Sequence, residues 1–332
     1  MKPQTRISYV LMAVLLVLVG WLHLGTLVLT SLFGYFALVK FSFGRSRLLG
    51  LALYIVAVVA IGWGATYFAR RAYVTLPEIA ETTIPKVVEF AEEKKIQLPF
   101  TDYDSAKRVA VDEVKSRIAN LVHYVHTATF EVASLVIGLF VAASLFLNVR
   151  WGTEDTQTPR ESLYSQVVGE LVTRFQTFYA SFSRVIGAQI IISLINTVLT
   201  AIFVVWNRLP YAAVLVMITF LCGLLPIVGN VISNTLIVFV AFTVSPKMAL
   251  FALVFLIVIH KLEYFLDSKI IGERIRSPLW LMLLGILIGE KVMGIPGMIL
   301  APVVLHYIKV EASKAKIAKD GAFAVADDAP AS

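Results

Sequence analysis

The feature that most limits what this chain can fold into is a series of long apolar runs almost free of charge, at 7–21, 48–68, 127–149, 185–206 and 248–259. Most approach the roughly 20 residues that a helix rising about 1.5 Å per residue needs to cross a hydrocarbon core of about 30 Å. Inside lipid no water is present to pair with a free backbone N–H or C=O, so such runs must be helical. With 58% of the 332 residues hydrophobic and 15% charged, the chain also lacks the polar surface of a water-soluble domain of this length. The sequence therefore predicts an all-α, polytopic integral membrane protein.

The single cysteine, Cys222, sits in an apolar run, cannot form an intrachain disulfide, and reads as a small buried apolar residue. The first apolar run lacks a small-residue cleavage site and leads directly into a second at 24–39, so it is expected to stay as a first span. A net charge of +7 would suggest nucleic acid in a soluble protein. Here the basic residues flank the spans, which fits orientation and contact with anionic lipid headgroups; membrane lipids, not nucleic acid, are the expected partners.

Lys2 and Arg6 precede the first span, Lys40, Arg45 and Arg47 follow the second, and no acidic residue occurs before Glu78. By the positive-inside rule the N-terminus lies in the cytoplasm, although Arg70 and Arg71 after the third run oppose that reading. Lys309, Lys314, Lys316 and Lys319 place the C-terminus inside as well. The expected location is the cell (inner) membrane, crossed several times, with both termini cytoplasmic.

Four regions follow. Residues 1–72 hold three spans. Residues 73–126 form an extracytoplasmic helical insertion, punctuated by Pro77, Pro85 and Pro99 and carrying Val111, Val114, Ile118, Leu121, Val122 and Val125 at helical spacing. Residues 127–310 form a membrane transport region. It includes a cytoplasmic amphipathic helix at 160–184, where Leu163, Val167, Leu171, Phe175, Phe178 and Phe182 make an apolar stripe interrupted by Glu170, Arg174, Ser181 and Arg184. Residues 311–332 are a cytoplasmic tail expected to be disordered.

Two apolar stretches are not plain spans. Residues 211–245 are broken by Pro226, Gly229 and Asn230, and residues 279–310 by Gly285, Gly289, Glu290, Lys291, Gly294, Pro296 and Gly297. Each can supply two short helices or a re-entrant hairpin. Paired Gly- and Pro-interrupted segments point to a transport site, because a broken helix frees backbone groups that must be buried in protein, line water or bind something. The plainer alternative is that the glycines only allow helices to pack closely.

Glu290 and Lys291 fall near the tip of the second break. An ionisable group inside the bilayer costs roughly 2.5–3.5 kcal/mol on insertion scales, so these two either serve function or reach the far interface and are solvated. Gln189, Ser193, Asn196 and Thr200 share one face of the 185–206 helix, either lining a path or bonding helices together. Glu263 and Asp267, near His260, Lys261 and Glu273, are with Glu290 the candidates for an ion or proton site. There is no zinc-type spacing, P-loop or Ser/His/Asp set in a soluble region, so neither metal, cofactor nor enzymatic activity is expected.

Three C-terminal elements, running from Leu224 to Asn230, from Lys269 to Gly272 with Ser277-Pro278, and from Gly289 to Pro302, together resemble the autoinducer-2 exporter (AI-2E) family of bacterial and archaeal permeases. Leu224-Leu225-Pro226-Ile227-Val228-Gly229-Asn230 resembles its P-x-x-G element, and Lys269-Ile270-Ile271-Gly272 with Ser277-Pro278 resembles its cytoplasmic P-x-(I/V)-x-G…P-L element. Gly289-Glu290-Lys291-Val292-Met293-Gly294-Ile295-Pro296-Gly297, continuing through Leu300-Ala301-Pro302, resembles its terminal signature. Tyr264 and Ser268 stand where members tend to carry Asn and Pro, and Glu290 replaces the second signature glycine. The resemblance implies about eight membrane segments and a homo-oligomer, pentameric in this family. It assigns structural roles to Gly272 and Pro278, and adds Pro302 to the gating set of Pro226, Gly229, Asn230, Gly289, Glu290, Lys291, Gly294 and Gly297. The expected function is a secondary transporter exporting a small polar organic solute. The alternatives are a Na+(Li+)/H+ antiporter, and a membrane scaffold or lipid-handling protein acting through 73–126.

Overall fold

The computed structural model describes residues 3–43, 46–95, 121–148, 162–226, 228–271 and 278–324. Its helices, in chain order, are α1 (Pro3–Trp21), α2 (Gly25–Phe41), α3 (Arg47–Glu93), α4 (Leu121–Asn148), α5 (Leu163–Trp206), α6 (Ala212–Gly223), α7 (Val228–Val244), α8 (Pro246–Ile271) and α9 (Leu279–Ala324). Five stretches are long and apolar enough to cross a bilayer: Pro3–Trp21, Arg47–Glu93, Thr129–Asn148, Leu163–Trp206 and Trp280–Lys314. Shorter apolar helices are Gly25–Phe41, Ala212–Gly223 and Val228–Val244. Large apolar side chains such as Ile61, Trp63 and Phe140 are exposed, as a surface solvated by lipid tails requires.

Two helices run past the ends that the sequence suggests. α3 does not stop near Phe68 but continues as 47 residues to Glu93, with Pro77 and Pro85 inside it. Both prolines are exposed, as are Tyr73 and Glu81, whose carbonyls lose their i+4 donors. Ala72, Thr75, Ile79, Thr83 and Ala91 form the buried face opposite. Likewise the amphipathic stretch at 160–184 is not a separate helix, because Leu163–Trp206 is one helix of 44 residues. The pattern 107–120 falls outside the described residues, as do Pro99 and the tail beyond Ala324.

The chain divides into two compact units. One comprises Met1–Phe36, Gly138–Ala188 and Asp267–Ser332. Its packing is rich in edge-on aromatic pairs: Phe33–Phe182 at 5.2 Å, Tyr35–Tyr179 at 5.0 Å and Phe178–Tyr307 at 5.5 Å between ring centroids. The other comprises Ala37–Ile137 and Gln189–Leu266. Its core gathers Ile79, Phe203, Val204, Leu215, Ile237, Val240, Ala252 and Leu256, with Phe203 stacked on Phe255 at 4.1 Å. Ile79 ties the distal part of α3 into that core, and Phe90 packs edge-on against Phe242 of α7 at 5.2 Å. The Lys86 ammonium donates to the Thr243 carbonyl at the C-terminal end of α7, where a cation also suits the helix dipole.

Candidate functional site

The first broken stretch is a helical hairpin. α6 has 12 residues and α7 has 17, lengths of about 18 and 26 Å, both short of a full crossing. A helix ending at membrane depth leaves its last four carbonyls without intrahelical donors. Here all four are paired. Ser193 Oγ donates to Phe220 O at 2.9 Å and Gln189 Nε2 to Gly223 O at 2.7 Å. The amides of Leu224 and Leu225 take Leu221 O at 3.3 Å and Cys222 O at 2.8 Å. Pro226 is half-buried in the turn, and Gly229 is required because a Cβ there would overlap the Cys222 carbonyl.

Just beyond the turn, Asn230 is buried and its Nδ2 lies 2.7 Å from both carboxylate oxygens of Glu263 on α8. The Asn230 Oδ1 is buried with no hydrogen-bond partner among the described residues. Glu263 has a side chain only 16% exposed, and Nδ1 of His260 is 3.9 Å from its Oε2. On the other side, Asn196 and Glu263 line a small void of about 10 Å³, room for one water. Asn196 Oδ1 in turn accepts from the Thr200 hydroxyl at 3.4 Å. A larger cavity of about 750 Å³ opens between α7 and α8, lined by Asn230, Asn234, Thr235, His260 and Lys261 at its polar end. The structure thus brings together Asn230, Glu263 and Asn196, drawn from three separate stretches of sequence. It gives Gln189 and Ser193 to the end of α6. The Asp267 side chain lies outside the described residues.

The second broken stretch also folds back. Within α9, Gly294 has φ 63° and ψ −143°, a conformation outside both the helical and the usual left-handed regions that only glycine adopts readily. Cβ atoms placed on Gly289 and Gly297 would each overlap the other's carbonyl, and one on Gly285 would lie 2.9 Å from Leu305 Cδ1. Gly289 opposite Gly297, and Gly285 opposite Leu305 and Ala301, is the register of two antiparallel arms in backbone contact. The first arm, 279–293, is about 22 Å long. Its start is marked by Pro278, whose carbonyl accepts the amides of Leu281 and Met282. Pro302 is buried in the second arm, whereas Gly272 lies outside the described residues. The tip meets the α1–α2 turn: a Cβ on Gly20 would lie 2.8 Å from Val292, and one on Gly25 3.0 Å from Met293. Glu290 and Lys291 are exposed, at the level where α1 ends.

A charged cluster was missed by sequence reasoning. Arg174 on α5 reaches Glu311 on α9 at 2.6 Å and Glu170 on its own helix at 2.8 Å, with side-chain exposures of 8% for Arg174 and 6% for Glu311. Tyr9 donates to Glu311 at 2.9 Å and presents its ring 4.1 Å from the guanidinium. Lys314 donates to Glu311 and to Thr177, each at 3.1 Å, and the Thr5 hydroxyl to Glu170 at 3.4 Å. Two cations against two carboxylates leave the cluster near neutral, which is what a buried group of charges requires. Arg174 Nε, the Tyr307 hydroxyl and both His306 nitrogens are buried without hydrogen-bond partners among the described residues. One signal was available. Arg174, Phe178, Ser181 and Phe182 recur at helical spacing, so two of the residues read as interruptions, Arg174 and Ser181, share the buried face, whereas Arg184 is exposed.

Long apolar helices combined with two glycine-folded hairpins define a multi-pass α-helical membrane transporter. The model of the AI-2E family transporters matches residues 7–315, and the chain belongs to that family. It is also similar to a Bacillus subtilis (strain 168) protein described as "Putative transport protein YdbI", with 30% identity over 125 residues. That match takes in 37% of this chain and 36% of the relative, so just over a third of the relative's length is compared.

Proposed function

We propose that this family member is a secondary permease exporting a small polar organic solute across the cell inner membrane, with both termini cytoplasmic and the chain acting as a homo-oligomer. It performs no covalent chemistry, and a solute or ion gradient drives it. The observation that carries this reading is the Asn230–Glu263 pair: a carboxylate held by an amide at the tip of a broken helix, beside a cavity of about 750 Å³. An ionisable side chain kept at such a place is by default functional. In this reading Pro226 and Gly229 of the first hairpin, and Gly289, Gly294, Gly297 and Pro302 of the second, supply the turns and close approaches on which gating depends. Asn196 and Thr200 line the path. Glu290 and Lys291, exposed near the tip of the second hairpin, belong to the same gating set.

The carboxylate favours a second reading, exchange of a monovalent cation for a proton at Glu263. Proteoliposomes holding the purified chain separate the two. Efflux of a labelled polar solute from a screened panel, insensitive to sodium and lost in Glu263→Gln, supports solute export. Sodium-dependent internal pH change, with no solute in the panel moved, supports exchange and removes the first reading.

A further inference from the structure

The cavity between α7 and α8 has a chemical gradient that the transport reading does not use. α7 and α8 meet at Ser245, which caps α8 by accepting the Met248 amide on its Oγ at 3.1 Å. Asn230 and Glu263 join the same two helices at the other end. Between those points the helices part into a groove about 18 Å long, measured along α7 from Asn230 to Phe242. One end carries Asn230, Asn234, His260 and Lys261, and both His260 and Lys261 are exposed. The walls beyond are apolar, among them Val238, Leu253 and Ile257. The far end is stopped by Phe242, itself braced by Phe90 at 5.2 Å.

A small polar solute would use only one end of this gradient, whereas a lipid matches a charged end and an apolar length together. We infer that the groove binds one acyl chain of an anionic phospholipid from the surrounding bilayer, with the headgroup phosphate against His260 and Lys261. The apolar walls then face hydrocarbon and Phe242 limits the depth of the chain. A cation beside an anionic headgroup supplies selectivity, and amide donors from Asn234 supply direction. Asn230 and the polar end of the cavity are shared with the transport reading, and the acyl chain takes the apolar length of the groove that this reading leaves unused.

The test uses the full-length chain in mild detergent, offered phosphatidylglycerol or phosphatidylcholine at equal concentration, with bound lipid counted by native mass spectrometry. The wild-type chain is expected to retain phosphatidylglycerol about fivefold better, the discrimination one interfacial lysine provides. Lys261→Gln, a change at an exposed position, is expected to bring the two lipids level. Ile257→Trp, filling the groove from its open side, is expected to remove both lipids. Equal retention of the two lipids by the wild type, or unchanged retention by Ile257→Trp, would overturn the inference. So would a lipid-free oligomer that Ile257→Trp breaks into monomers, which would make a second copy of the chain the occupant. Solute flux is not the readout, so failure here leaves the permease reading standing.

Discussion

Gln189 Nε2 lies 2.7 Å from the carbonyl oxygen of Gly223, joining the middle of α5 to the last residue of α6. Ser193, one turn further along α5, does the same for Phe220 at 2.9 Å. Gln189 and Ser193 of the polar face of α5 therefore fasten the end of a helix too short to cross a bilayer. Their spacing follows from what they hold: two side chains four residues apart reach two carbonyls at one helix end.

Removing that fastening has a defined cost. Gln189→Leu leaves the Gly223 carbonyl buried without a donor, a loss of about 1–3 kcal/mol. The purified variant should melt at lower temperature in detergent, whereas Gln189→Glu, which brings only acceptors to the carbonyl when ionised, should be worse still. A Gln189→Leu protein as stable as the wild type would mean that the carbonyl finds water instead.

The glycines separate into those that matter and those that do not. Gly297→Val drives side-chain atoms into the Gly289 backbone and should prevent the arms of α9 from closing, abolishing transport and lowering the yield of folded protein. A Cβ on Gly64 meets nothing within 4 Å, so Gly64→Ala should not destabilise and, by helix propensity, should stabilise by up to about 1 kcal/mol. Gly294→Ala meets no neighbour either but must hold φ 63° and ψ −143°, and is expected to fall between the two. Flux and thermal stability measured on the three variants should rank Gly64→Ala first and Gly297→Val last.

Arg174 and Glu311 provide a test by subtraction. Arg174→Met leaves the buried Glu311 carboxylate to Tyr9 and the half-exposed Lys314, so the loss should fall below the roughly 3–5 kcal/mol of a fully uncompensated buried charge. Glu311→Gln in the same background removes the under-compensated charge, so the double variant should lose less stability than the two single changes summed. A double-mutant cycle read by thermal denaturation gives the coupling directly. Additive effects would show that the two residues do not support one another.

How far these features are legible in the sequence depends on whether the cause is local. Gly294 and Gly297 announce the second hairpin because a chain reversal and a backbone contact need residues without a Cβ, and Pro226 with Gly229 announces the first in the same way. The polar face 189–200 is also plain from its spacing, but its purpose depends on where α6 ends. Pro77 and Pro85 mislead, since a proline on the exposed face of a helix interrupts it far less than one in the core. Glu170 and Arg174 mislead similarly: a charge in an apolar stripe looks like an interruption until its partner is known, and Glu311 is 137 residues away from Arg174. Of the acids considered for an ion site, the one that meets a polar partner in the described structure, Glu263, is picked out by the fold rather than by the sequence.

The Asn230–Glu263 pair yields the sharpest functional expectation. The Asn230 amide nitrogen faces both carboxylate oxygens, so Glu263→Gln keeps size and shape while replacing one acceptor with a donor that confronts that nitrogen. Asn230→Asp instead places two carboxylates in contact, where like charges at this separation oppose joint ionisation. If Glu263 acts only in packing, Glu263→Gln should retain flux and Asn230→Asp should lose stability alone. If the carboxylate takes part in transport, Glu263→Gln should lose most of its flux while melting within a few degrees of the wild type. Asn230→Asp should then transport better at acidic pH, where one of the two carboxyls is protonated and the second can accept its hydrogen bond. Flux measured across a pH series on both variants, alongside their melting curves, decides between the two outcomes.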